Sequence, residues 1–204
     1  MTGALIRAQV RATGAATTAP PLLAGIVVAG TLRGAELVLP AGSAALLAPW
    51  LVSVLVLCAG LCVAVAMTDD GLVELHESTL VPFRAVRLLR AGLVNAAAAV
   101  GAVLAVHGSG PWPREEGWTA LLSTVGAVAV LTAVAFCVCG WSGTPAATAL
   151  AVVAAWLLLT VAWDPHVPSL HLQRGLPLAV ALVPAVVTWR RLRDSERLMT
   201  GAVS

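Results

Sequence analysis

What most limits this chain is a series of apolar stretches, each long enough to cross a bilayer, separated by short polar segments. About 20 apolar residues in a helix span the hydrocarbon core. Backbone N–H and C=O groups placed there must be satisfied internally, which for stretches of this kind means helices. With 59% apolar and only 11% charged residues among 204, the chain lacks the polar side chains to cover a soluble surface. The expected fold is all-α: a polytopic membrane protein of six transmembrane helices forming one transmembrane domain, residues 1–204.

Taken in order, Met1 to Thr18 sets Leu5, Ile6 and Val10 among Arg7 and Arg11, which suggests an interfacial helix over residues 1–16. Span one runs from about Thr17 to Leu39. Its uninterrupted core, Leu22 to Leu32, is too short to cross alone, so the span includes Arg33 and Glu36. These lie at i, i+3 and can pair on one helix face. Two readings stand for this membrane-embedded pair: snorkelling to the headgroups, or lining a substrate path. Span two is Ser43 to Met67. Span three runs from about Ala91 to His107, its helix beginning at Pro82, because proline favours the first turn of a helix. A helix from Pro82 to His107 is about 39 Å long, so Arg84, Arg87 and Arg90 project into or past the headgroups. Span four is Trp118 to Cys139, span five Ala146 to Trp163, and span six Leu176 to Trp189, interrupted by Pro177 and Pro184.

No cleavable signal peptide is expected, since the first apolar run outlasts a signal core. Six spans place both termini on one side. With the N-terminus inside, Arg7, Arg11, Arg84, Arg87, Arg90, Arg190, Arg191, Arg193 and Arg197 are internal, against Arg33, Arg114 and Arg174 outside. The positive-inside rule then places both termini in the cytoplasm. The expected location is the bacterial inner (plasma) membrane. The segments 108–117 and 164–175 face outward.

Several functions are set aside by composition. A net charge of +2 is too small to suggest a nucleic-acid partner. All twelve basic residues are Arg, and without Lys this chain has no G-x-x-x-x-G-K-[ST] phosphate loop. It is therefore read as no enzyme and as needing no cofactor, with any ATP hydrolysis left to another polypeptide. Cys58/Cys62 and Cys137/Cys139 lie inside apolar runs with no His nearby, and read as small residues packed between helices rather than zinc ligands. Asp164, His166 and His171 share a proline-interrupted segment without the helical spacing of a metal site.

The stretch Thr68 to Arg90 differs from everything around it. It gathers Asp69, Asp70, Glu74 and Glu77 with Arg84, Arg87 and Arg90, and intersperses Leu72, Leu75 and Leu80. The orientation above makes it cytoplasmic. Its pattern, an acidic start, Gly71, Glu74-Leu75, a Thr79-x-x-Pro82 break and an Arg-rich entry to span three, resembles the loop between spans two and three of ABC-2-type transporter permeases. The plan of an interfacial helix, six spans and an outer segment between the last two is similar as well.

That resemblance implies the membrane subunit of a bacterial ABC exporter. Such permeases form homo- or heterodimers in the lipid bilayer and bind cytoplasmic ABC ATPase subunits through a short coupling helix. Here the helix would be about Gly71 to Leu80, with Asp70, Leu72, Glu74, Leu75, Glu77, Leu80 and Arg84 facing the partner. The apolar spans would suit a hydrophobic or amphipathic cargo. The alternative is a membrane scaffold or sensor that transports nothing and uses the same loop to hold a cytoplasmic partner.

Overall fold

A computed structural model describes the backbone over residues 2–39, 43–68, 83–108 and 115–201, and the side chains over 17–39, 46–68, 87–107 and 117–191. Six helices account for nearly all of it: α1 (Thr2–Val38), α2 (Ser43–Thr68), α3 (Phe83–Gly108), α4 (Glu115–Ser142), α5 (Pro145–Leu157) and α6 (Leu170–Gly201). The last turns of the α5 span are wound as a π-helix, Leu158–Trp163. No strand occurs among the described residues. The segments long and apolar enough to cross a membrane are Thr17–Val38, Leu46–Thr68, Arg87–His107, Gly117–Ser142, Pro145–Trp163 and Leu170–Arg191. The chain is an all-α, multi-pass membrane protein.

Three boundaries differ from the sequence expectation, each for a local reason. The helix expected over 1–16 does not stand apart; α1 runs unbroken from Thr2 through Pro20 and Pro21 to Val38. The turn after span four shrinks to Gly143-Thr144. Gly143 takes φ +64, which glycine adopts without a Cβ penalty, and its N–H donates to the Cys139 carbonyl at 3.0 Å. Pro145 then starts α5 at the position where its missing N–H costs nothing. Span six starts at Leu170 rather than Leu176, so the connection expected over 164–175 is only 164–169. Pro177 and Pro184 sit inside α6 without ending it. In hydrocarbon a helix end exposes several backbone groups, whereas an internal proline orphans one carbonyl.

Helices α2 and α4 form the centre. Helix α2 packs against α1, α3, α4 and α5, and α4 against α2, α3, α5 and α6. Val56, Ala59 and Val63 of α2, Val94 and Ala98 of α3, Leu131 and Ala135 of α4 and Val152 of α5 are buried together. Helices α1 and α3 approach each other closely. A Cβ on Gly25 would lie 2.3 Å from the Gly101 carbonyl oxygen, and one on Gly101 2.5 Å from that of Pro21. Backbones meet this closely only through small residues, the way helices associate where no hydrophobic effect drives them together. The outer faces of α1 and α6 carry Leu23, Ile26, Val27, Val180 and Val183, all exposed, as lipid-facing surfaces require.

Candidate functional site

The most developed polar site joins the ends of α4, α5 and α6. Asp164 follows the π-helical turn, and its own N–H donates to the Leu159 carbonyl, five residues back, at 2.8 Å. The wider turn brings Asp164 round toward Arg174 on the first turns of α6. The two side chains form a forked pair, Arg174 Nη1 to Asp164 Oδ1 at 2.5 Å and Nη2 to Oδ2 at 2.7 Å. The same guanidinium reaches α4: Nε donates to the Ser123 carbonyl at 2.9 Å, and Nη2 to its hydroxyl at 3.0 Å. Only 13% of the Arg174 side chain and 24% of Asp164 remain accessible. Ser123 lies six residues into the α4 span, about 9 Å along its axis. A pair at that depth is stable because the geometry is bidentate and the serine takes further donors. Gly126 makes room for it, since a Cβ there would press on Arg174 Cβ and Cγ at 3.1 Å.

A second link fastens the same corner. Pro177 has no N–H, so the Gln173 carbonyl lacks its partner within α6. Trp163 Nε1 donates to that carbonyl at 2.9 Å. The Gln173 side chain in turn donates from Nε2 to the Asp164 carbonyl at 3.3 Å. The proline that breaks the helical pattern in sequence thus leaves an acceptor that ties span five to span six.

Other interhelical hydrogen bonds are spread through the bundle. Thr132 Oγ1 lies 3.1 Å from Asn95 Oδ1 and joins α4 to α3, while Asn95 Nδ2 donates to the Ala91 carbonyl. Trp156 Nε1 on α5 is 2.9 Å from both the carbonyl and the hydroxyl of Ser53 on α2. At the opposite end from the Asp164–Arg174 pair, Trp141 Nε1 donates to Thr188 Oγ1 at 2.8 Å, and the Arg191 guanidinium lies 4.6 Å above the Trp141 ring.

The residues singled out in the sequence fare differently. Asp70, Leu72, Glu74, Leu75, Glu77 and Leu80 lie outside the described residues, and Arg84 is described only as backbone within α3. Arg33 and Glu36 do pair, Nη1 to Oε2 at 3.3 Å, with side chains 58% and 37% accessible. They sit on the outer surface of α1 rather than facing an enclosed path within this bundle. None of the four cysteines is joined in a disulfide; Cys139 Sγ contacts the Met67 carbonyl at 3.5 Å and Cys137 Sγ that of Ala181 at 3.6 Å, both between helices. Asp164 is engaged by Arg174 and His166 Nδ1 by the Ala162 carbonyl. Among the described residues no three His, Cys, Asp or Glu side chains come together.

The Asp164–Arg174–Ser123 cluster was not anticipated from sequence. Its trace there is slight: two opposite charges ten residues apart across a Pro-rich connection, with a serine some forty positions earlier. Comparison with protein-family models, with curated proteins and with solved structures gives no match.

Proposed function

We propose that this chain is the permease subunit of an ABC exporter, moving a hydrophobic or amphipathic cargo with energy from ATP hydrolysed by a separate cytoplasmic subunit. The observation that carries this reading is the segment Thr68 to Arg90, the one long charged stretch between two apolar helices, on the side where nine of twelve arginines fall. A chain without a phosphate loop that concentrates charge at such a place presents a surface for a partner to push against. Six spans in one domain agree with the reading. The described core is filled mainly by buried Leu, Val and Ala side chains, so a cargo path would run between two copies rather than through one bundle. The outer connection 164–169, fastened by Arg174, would then form the extracytoplasmic rim of that path.

The test is a reconstituted complex. Changing Glu74→Arg together with Glu77→Arg is expected to lower ATPase retention and cargo-stimulated hydrolysis. Retention of a cytoplasmic partner without ATPase activity would favour the scaffold or sensor reading instead.

A further inference from the structure

The end of the bundle opposite Asp164 carries a surface that the transport reading does not use. Trp141 closes α4 with 62% of its surface accessible, although its indole N–H is turned inward to Thr188 of α6. Arg191 lies across the face of the ring at 4.6 Å. Arg190 beside it is exposed. The neighbouring start of α5 is exposed over Gly143–Ala146, and the Thr144 side chain makes no capping bond. The first-turn N–H groups of α5 therefore add positive potential to the same corner. Between Cys139 and Thr148, and between Pro184 and Arg191, there are two arginines and no acidic residue; residues 190–197 hold four arginines against two acids.

We propose that this corner binds the headgroup of an anionic phospholipid. Three properties select that ligand. An interfacial Trp sits at headgroup depth. A guanidinium stacked on an aromatic ring is fixed in plane, and arginine recognises phosphate through in-plane N–H groups. Clustered arginines just beyond a transmembrane helix attract anionic lipid, each contributing roughly a fivefold preference. A zwitterionic headgroup carries a cation that this corner repels. The inference is independent of whether the chain transports anything.

Purified protein in nanodiscs of phosphatidylcholine alone, or with phosphatidylglycerol added, tests it by native mass spectrometry and thermal unfolding. Wild-type protein is expected to retain phosphatidylglycerol over phosphatidylcholine and to unfold at higher temperature when it is present. In the double variant Arg190→Gln/Arg191→Gln the preference should fall about 25-fold, while Arg33→Gln at the other end of the bundle leaves it unchanged. Equal retention of the two lipids by wild-type protein overturns the proposal without reference to any variant. So does a preference that survives in the double variant, one lost equally in Arg33→Gln, or equal stabilisation by inorganic phosphate alone.

Discussion

Arg174 grips Asp164 with two parallel hydrogen bonds, at 2.5 and 2.7 Å, and holds Ser123 of α4 with the rest of the same guanidinium. A single side chain thus joins three helices at one end. Removing one partner from a mostly buried pair leaves an uncompensated charge, at a cost of about 3–5 kcal/mol. Arg174→Gln and Asp164→Asn should each lower stability on that order in detergent unfolding. The double variant should lose less than their sum, because it strands no charge. Additive losses would show that the two residues do not act on each other.

The Trp163–Gln173 bond makes a separate prediction. Trp163→Phe strands the Gln173 carbonyl, a cost of about 1–3 kcal/mol for a buried acceptor. Pro177→Ala restores an N–H able to bond that carbonyl within α6. In the Pro177→Ala background, then, Trp163→Phe should cost markedly less. An unchanged cost in both backgrounds would mean that the indole contributes packing alone.

Two glycines on α1 should respond oppositely to the same change. At Gly25 a methyl would meet the Gly101 backbone at 2.3 Å, whereas at Gly30 it meets nothing within 4 Å. Gly25→Ala must push α1 away from α3 and should destabilise by about 1–3 kcal/mol or more. Gly30→Ala should be neutral or stabilising by up to about 1 kcal/mol, the gain in helix propensity. Thermal unfolding of the two variants checks this directly.

Orientation is testable by impermeant thiol labelling. The native cysteines lie within the spans, so introduced ones dominate the signal. A cysteine at His166, which is exposed in the connection 164–169, should label from outside intact cells. A cysteine at Glu74 should label only after the membrane is opened. The reverse pattern would invert the positive-inside assignment.

The spans were legible because length and apolarity alone decide them, and every expected span overlaps an observed one. Their ends were less so. Pro177 reads as a break in sequence, but α6 passes through it because Trp163 takes up the orphaned carbonyl. The Arg33–Glu36 pair followed from helical spacing. The Asp164–Arg174 pair did not: it depends on a π-helical turn and on where α6 starts, neither of which hydropathy registers. The loop proposed to contact a partner, residues 68–90, is read from its charge and its resemblance, and its residues 69–82 lie outside the described residues.

The measurement that bears most directly on the proposed function is affinity purification of the tagged chain from its own membranes in mild detergent, followed by mass identification and an ATP hydrolysis assay. The expected result is a co-purifying ATPase with its own phosphate loop, retained by the wild-type chain and lost from the Glu74→Arg/Glu77→Arg variant. A wild-type preparation that holds dimer and lipid but no ATPase would contradict the exporter reading.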